Sequence, residues 1–177
     1  MSQQAAVQRR LIAEVVDVAH RLGIAVWLRG GWAMDFYLGR VTREHRDIDW
    51  FVDVGAADLL VSGLEACGFV VAPGVPTGVQ RDLVKDGEDV SFALVGRDAD
   101  GYAVVPAGPY AGERWPVAML GKRVGRIGEQ SAPVIEPAAQ VEIKAMMPVW
   151  VPGMPRREKD RADIELLDEA IRSDPTA

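Results

Sequence analysis

One stretch of the chain, residues 26–54, limits the possible folds most strongly. It reads as an apolar strand, a glycine turn, a helix, and a second strand that carries Asp47 and Asp49. Residues two apart on a strand share a face and lie roughly 7 Å apart at Cα, so the two carboxylates converge. Two like charges on one face repel each other, and a divalent cation is the simplest compensation. Because Mg²⁺ typically takes one or two protein carboxylates plus water and substrate phosphates, Asp47 and Asp49 are predicted magnesium ligands.

The glycine turn predicts an anion site. Gly30 and Gly31 follow the apolar residues 25–28 and precede the helical residues 32–38. Glycine lets backbone N–H groups come close to a ligand at a helix N-terminus, where the helix dipole favours negative charge. A Gly-Gly pair alone usually marks only a turn. Followed by the Asp-x-Asp strand, it predicts a joint metal and phosphate site; the alternative is a solvated strand edge.

The order of these motifs resembles the nucleotidyltransferase superfamily that has the DNA polymerase β type palm. The longer pattern in residues 30–35, 38–43 and 45–49 resembles the aminoglycoside 2″-nucleotidyltransferase group in particular. This resemblance implies an α+β, polymerase β palm-type nucleotidyltransferase fold, with a mixed or antiparallel sheet flanked by helices and a C-terminal helical segment. It also implies Mg²⁺ as cofactor and ATP or another nucleoside triphosphate as co-substrate.

The composition is that of a globular protein. Of the 177 residues, 49% are hydrophobic and 26% are charged, which argues against disorder. We expect a nucleotidyltransferase core over residues 1–135 and a C-terminal helical segment over residues 136–177 that packs on it. No apolar run approaches the roughly 20 residues of a membrane span, and the N-terminus shows no signal-peptide pattern. A cytoplasmic location with no membrane partner is therefore expected.

Hydrophobic periodicity and turn residues predict the other elements. The Asp86-Gly87 pair predicts a hairpin between two strands in residues 79–95. Pro148 is expected to end the first C-terminal helix, and residues 150–155 to connect it rigidly to the last helix. The predicted helices are residues 5–22, 55–68, 138–147 and 157–172; residues 73–78 are predicted as a loop, and residues 108–133 as two or three short strands that include residues 117–120 and 124–127.

One position departs from the pattern of the superfamily. By the resemblance, a third carboxylate is expected on a later strand, where it helps to bind metal and acts as base toward the acceptor hydroxyl. Ser91 holds that position, and a serine cannot take a proton near neutral pH without a base of its own. Asp89, two residues earlier on the same face of a regular strand, is the predicted catalytic replacement. Otherwise another acid, a water or the substrate must serve, or the protein binds without turnover.

The C-terminal part supplies two candidate cations. By the resemblance, Lys144 in the first C-terminal helix and Lys159 in the second are candidates to bind nucleotide phosphates. Lys159 and Asp163 lie on one helix face at i,i+4 spacing, so solvated ion pairs are the alternative. His45, two residues before Asp47, is a further candidate for a place near the site.

The predicted function follows from the motifs and the charge. The resemblance implies transfer of AMP from ATP to a hydroxyl of a small acceptor, an aminoglycoside. The net charge of −6 does not favour nucleic acid as a partner and suits a cationic small molecule. Three alternatives stay open: a transferase of the same fold that modifies a protein or tRNA, a catalytically weak nucleotide-binding or drug-binding relative, and an unrelated α/β domain with a surface aspartate pair.

Overall fold

The computed structural model describes residues 2–73 and 78–174. Residues 74–77, in the predicted loop, lie outside the described residues. No helix in the described ranges is both long and apolar enough to cross a membrane. The helices are α1 (Gln3–Leu22), α2 (Gly30–Leu38), α3 (Ala57–Glu65), α4 (Pro137–Trp150) and α5 (Glu158–Ser173), and the strands are β1 (Val26–Arg29), β2 (Asp47–Asp53), β3 (Val70–Val71), β4 (Gln80–Lys85), β5 (Glu88–Arg97), β6 (Ala103–Val104), β7 (Val124–Ile127) and β8 (Gln130–Pro133).

A mixed sheet forms the centre of the fold. Within the described residues it has six strands, in the order β1-β2-β5-β4-β3 with β6 paired to β5. β2 and β5 are parallel, and the other neighbours are antiparallel. β4 and β5 are joined by the turn at Asp86-Gly87, which confirms the predicted hairpin. β7 and β8 form a separate two-stranded sheet, and the α+β class with a mixed sheet flanked by helices is confirmed.

The two faces of the sheet have different partners because strand side chains alternate. On β2, Ile48 and Trp50 are 0% exposed and belong to the main hydrophobic core, which also contains residues of α1, α2 and α3. Phe51 lies on the opposite face, in a smaller cluster with residues of α4. Asp47 and Asp49 have the same parity as Phe51. The alternation therefore buries the apolar residues of β2 and places Asp47 and Asp49 on the face that α4 approaches.

The predicted strand at residues 117–120 is wrong. This segment is a turn in which the Met119 N–H donates a hydrogen bond to the Pro116 carbonyl at 3.2 Å. Ala118 has a φ of +59°, which no strand residue adopts. Met119 is 1% exposed. The apolar residues that predicted a strand therefore belong to a turn whose Met119 side chain packs in the core. Residues 124–127 do form a strand, β7.

Two helix boundaries also differ from the prediction. α4 continues past Pro148, and the Val151 N–H closes its last turn on the Met147 carbonyl at 2.9 Å. A proline this close to the C-terminus removes a single backbone hydrogen bond, so the helix tolerates it. α3 begins after Gly55 because the Gly55 N–H bonds to the side chain of Asp53, which holds a turn before the helix; it ends before Gly68, whose φ is +87°.

We expect Gly125→Ala to destabilise the fold by about 1–3 kcal/mol, because it forces extra volume into a packed contact. A Cβ at this position of β7 would lie 2.6 Å from the carbonyl carbon of Phe36 in α2. Urea unfolding measures the effect. Gly55→Ala is the matched control, since its Cβ would meet only Asp53 Oδ1 at 3.3 Å. Equal free energies of unfolding for the two variants would contradict the close packing of α2 on β7.

Candidate active site

β1 leads directly into α2 at Gly30, where the backbone turns sharply. Gly30 has a φ of +69°, and a Cβ atom there would lie 2.7 Å from Asp49 Oδ2. Only glycine tolerates both the left-handed backbone and this contact. Arg29, the residue before α2, makes no side-chain hydrogen bond to the helix N-terminus. The start of α2 therefore lies against the Asp49 carboxylate and is a favourable place for a phosphate.

Asp47 and Asp49 lie on one face of β2, beside the start of α2. Asp47 is exposed and Asp49 is half-buried, with Arg29 Nη2 4.0 Å from Asp49 Oδ1. Burial raises the pKa of Asp49; Arg29 opposes this rise, and the negative charge of Asp47 adds to it. A cation held between the two carboxylates would relieve both the burial of charge and the repulsion.

The aspartate pair fits the donor set that a magnesium ion needs. Within residues 2–73 and 78–174, no group of three or more His, Cys, Asp or Glu side chains could hold a metal ion. Mg²⁺ does not need such a cage, because it commonly binds one or two carboxylates and takes its other oxygens from water and substrate phosphates. Since the phosphate position at α2 adjoins the same carboxylates, the residues present suit a metal and a phosphate bound together.

Two cavities meet at the aspartate pair. The larger has a volume of about 490 Å³ and the smaller about 270 Å³. Most of the predicted site residues line them: Gly30, Asp47, Asp49 and Lys144 line both, and Gly31 and Lys159 line the larger cavity. Every predicted site residue therefore lines at least one of these cavities except Asp89, which lines neither of them.

Arginines that sequence reasoning missed add positive charge to the larger cavity. Arg43 and Arg157 line it together with Lys159. Partial burial lowers the pKa of Lys159, and the positive charges of Arg157 and Arg43 lower it further. Cations crowded in this way favour a polyanionic ligand. Arg43 lies within the motif that carried the family resemblance, but its approach to Lys159 is a tertiary contact that no local pattern reveals.

A buried carboxylate on α5 joins the elements that carry these cations. Asp163 is 2% exposed, and its Oδ2 accepts hydrogen bonds from Lys144 Nζ at 2.8 Å and from Arg43 Nη2 at 2.9 Å. Burial favours the protonated acid, but the hydrogen bonds from Arg43 and Lys144 lower the pKa of Asp163 overall. A solvated pair with Lys159 is therefore wrong for this residue. Instead, Asp163 ties α4 and the segment before β2 to α5.

His45 supports the glycine turn. It is 5% exposed; its Nε2 lies 2.7 Å from Asp35 Oδ2, and Arg43 Nη1 donates to its Nδ1 at 3.0 Å. Because Nδ1 accepts, the ring proton is on Nε2 and is donated to Asp35. A Cβ on Gly31 would overlap the His45 ring, so glycine is required here as well. His45 therefore positions Arg43 and the start of α2.

β5 brings Asp89 and Ser91 beside the aspartate pair. In the parallel pairing with β2, Asp47 is opposite Asp89 and Asp49 is opposite Ser91. Ser91 therefore lies next to the metal-binding candidates, as its alignment with the third carboxylate implies. Asp89 is exposed, and its catalytic role stays a prediction. The Ser91 hydroxyl donates a hydrogen bond of 2.7 Å to Asp82 Oδ1.

Asp82 on β4 is a residue near the site that sequence reasoning missed. The two-residue hairpin turn pairs Lys85 with Glu88, and the antiparallel register then pairs Asp82 with Ser91. This register could have been counted from the Asp86-Gly87 signal. Asp49, Ser91 and Asp82 therefore form a row across three adjacent strands, on one face of the sheet.

A family model places the chain among known proteins. The model described as aminoglycoside-2″-adenylyltransferase matches residues 11–167. The chain belongs to this family. The resemblance that residues 30–49 carry is thereby confirmed.

Curated members and relatives of the family match short segments of the chain. A 2″-aminoglycoside nucleotidyltransferase from Klebsiella pneumoniae is 48% identical over 42 residues, which are 24% of this chain and 24% of the relative. A lincosamide resistance protein from Staphylococcus haemolyticus is 33% identical over 57 residues, which are 32% of this chain and 35% of the relative. The matches therefore span about a quarter to a third of the length of these relatives.

Solved structures show the same fold over most of the chain. The crystal structure of ANT(2″)-Ia in complex with adenylyl-2″-tobramycin matches with a TM-score of 0.74 at 20% identity, covering 93% of this chain and 90% of that chain. The lincosamide antibiotic adenylyltransferase LnuA, lincomycin-bound, matches with a TM-score of 0.69 at 22% identity, covering 90% and 95%. Identity this low shows the fold alone, which is that of nucleotidyltransferases.

Asp163→Asn should destabilise the protein by about 3 kcal/mol at pH 7, because it removes the buried counter-charge that the half-buried Arg43 and Lys144 share. Since folding lowers the pKa of Asp163, its stabilisation is present above the pKa of an unfolded Asp and is lost as the pH falls through the folded-state pKa. The difference from wild type should therefore shrink below about pH 4.

Urea unfolding at several pH values measures this difference. Asp168→Asn, at an exposed position of the same helix, is the matched control and should change stability by less than about 0.5 kcal/mol. A loss for Asp163→Asn that stays constant with pH would contradict the charged network.

Lys159→Gln should weaken the binding of inorganic tripolyphosphate about tenfold, because one charge-assisted hydrogen bond is lost. Calorimetry in the presence of Mg²⁺ measures this affinity. Lys122→Gln removes an exposed lysine that lines neither cavity and should leave the affinity unchanged. Equal weakening in both variants would mean that net charge, and not the cluster around Lys159, attracts the anion.

Proposed function

We propose that this chain is a cytoplasmic nucleotidyltransferase that uses Mg²⁺ and ATP to transfer AMP to a hydroxyl of an aminoglycoside. The observation that carries the proposal is that Asp47 and Asp49 adjoin the N-terminus of α2 in cavities also lined by cationic side chains. The carboxylates suit the metal, while the helix start and the cations suit a triphosphate. The family assignment and the curated 2″-aminoglycoside nucleotidyltransferase support the acceptor class.

The proposed roles follow the geometry. Asp47 and Asp49 would hold Mg²⁺, which would stabilise the negative charge that develops at the α-phosphorus. Gly30 and Gly31 let the first N–H groups of α2 reach the phosphates. Lys144 and Lys159, with the neighbouring arginines, supply counter-charge. In phosphoryl transfer the protein contributes mainly positioning and electrostatic stabilisation, so this small set of side chains suffices.

The acceptor would approach across the open part of the sheet. Asp89 and Asp82 lie on the same face as Asp47 and Asp49, on β5 and β4. Their negative charges suit an acceptor that carries ammonium groups. In the reaction the acceptor oxygen attacks the α-phosphorus in line with the departing pyrophosphate. The lincosamide resistance protein among the relatives makes a lincosamide the second acceptor class to test.

Binding without turnover is a second candidate function. Ser91 occupies the register position opposite Asp49, where the superfamily pattern implies a third carboxylate. A chain that kept the nucleotide and drug pockets but lost the base would bind both ligands and release no pyrophosphate. Ser91 is the observation that favours this candidate.

Pyrophosphate release from ATP and Mg²⁺, measured across a panel of aminoglycosides and lincosamides, tests the proposal. Asp47→Asn and Asp49→Asn should each lower kcat/KM by at least about 100-fold, because each removes a metal ligand and charge stabilisation at phosphorus. Asp53→Asn is the matched control: it lies on the same strand and face, but it bonds to the Gly55 N–H.

Release that requires one aminoglycoside, and that disappears in both Asn variants but not in Asp53→Asn, is the expected result. Release with lincosamides alone would change the acceptor class. ATP binding by calorimetry without release, for every acceptor, would favour the binding-only function. If the protein bound no nucleotide in the presence of Mg²⁺, the proposed metal and phosphate site would be contradicted.

A further inference from the structure

The row of Asp49, Ser91 and Asp82 supplies an answer to the missing third carboxylate. Resting on the proposed function, we infer that Ser91 accepts the proton of the acceptor hydroxyl and passes its own proton to Asp82. The base is thereby moved one strand away from its expected position, and the serine hydroxyl connects it to the site. Ser91 is the group that touches the acceptor, and Asp82 acts through it.

The spacing of the strands makes the serine necessary. Neighbouring strands lie about 4.7–4.9 Å apart, so Asp82, two strands from Asp49, is roughly 10 Å away across the sheet. A general base must lie within about 3.2 Å of the proton that it takes, or act through one intermediate group. Ser91 lies on the strand between them, directly opposite both residues.

The hydrogen bonds fix the direction of proton transfer. An ionised carboxylate only accepts, so the 2.7 Å bond between Ser91 Oγ and Asp82 Oδ1 is donated by the serine. Donation toward Asp82 leaves the Ser91 lone pairs available to a donor hydroxyl. Gln80 Nε2 donates to the same Asp82 oxygen at 2.6 Å and so holds the carboxylate in place. Asp82 is half-buried, so it can return the proton to solvent after turnover.

Asp89 is less well placed for this step. It is opposite Asp47 rather than Asp49, and it is exposed. Within the described residues its side chain makes no hydrogen bond to Ser91, whose hydroxyl is directed to Asp82. The structure therefore connects the serine to the acid on β4 and not to the acid on its own strand.

The step balances without a further reactant. A bond forms between the acceptor oxygen and the α-phosphorus of ATP, and the bond from that phosphorus to the leaving oxygen breaks, releasing pyrophosphate. The acceptor proton moves to Ser91 Oγ while the Ser91 proton moves to the Asp82 carboxylate. Serine ends unchanged, and Asp82 carries the proton.

Steady-state kinetics of single variants test the relay first. Asp82→Asn and Ser91→Ala should each lower kcat about 100-fold, the usual range for loss of general base catalysis. The KM for ATP, and ATP affinity by calorimetry, should stay within about twofold of wild type, because neither residue lines the cavities proposed for the nucleotide. Ser91→Thr keeps the hydroxyl and should retain most of kcat. Asp58→Asn, which removes an exposed carboxylate paired with Arg81 next to Asp82, is the control for charge.

An exchange variant separates the relay from a structural role. Ser91→Asp combined with Asp82→Ser moves the carboxylate to the strand beside Asp49, so the serine is no longer needed. We expect kcat within about tenfold of wild type, although Asp82→Ser alone loses about 100-fold. If the hydrogen bond between Ser91 and Asp82 were only structural, moving the carboxylate to position 91 would not restore kcat. Circular dichroism and urea unfolding verify that each variant is folded.

Each outcome decides the inference. Full kcat in Asp82→Asn overturns it, and loss of kcat only in Asp89→Asn transfers the role to Asp89. Turnover by the exchange variant from an inactive wild type also overturns it, while supporting the proposed function. No release by either protein, with ATP still bound, means that the proposed function fails and the relay fails with it.

Discussion

The contact between the Asp49 carboxylate and Gly30 is the constraint on which the site depends. It requires a residue without a Cβ at the start of α2, and it requires β1 and β2 to be antiparallel neighbours so that the acid meets the turn. The contact places the Asp49 carboxylate beside the N-terminus of α2. These are the groups that bind a divalent cation and a phosphate, respectively. The sheet register and the glycine turn therefore meet at the contact between Asp49 and Gly30, and the proposed chemistry depends on that contact.

The cations of the site depend on a second contact, far from β2 in sequence. Asp163 holds Lys144 and Arg43 by two hydrogen bonds and is buried while doing so. Desolvating such charges costs several kcal/mol unless the hydrogen bonds compensate, so the main consequence of this network is the placement of Lys144 and Arg43. α4 and α5, which contact each other and α2, thereby present their positive groups to the aspartate pair.

The sequence predicted the parts of the site that depend on local spacing. Asp47 and Asp49 share a face because they are two apart on a strand, and Gly30 and Gly31 begin a helix because apolar periodicity changes there. It did not predict tertiary proximity, such as Arg43 beside Lys159, or the hydrogen bond from Ser91 to Asp82. The strand prediction for residues 117–120 was wrong because apolar residues are also found in turns that pack against the core, as Met119 does.

The most direct test of the account is the position of a bound metal. A crystal structure with Mn²⁺ and a non-hydrolysable ATP analogue would locate the ion by its anomalous scattering. We expect one Mn²⁺ bound directly to carboxylate oxygens of both Asp47 and Asp49 and to the analogue, at about 2.0–2.1 Å as for Mg²⁺, with the phosphates at the start of α2. An ion bound elsewhere, or phosphates distant from Gly30 and Gly31, would contradict it.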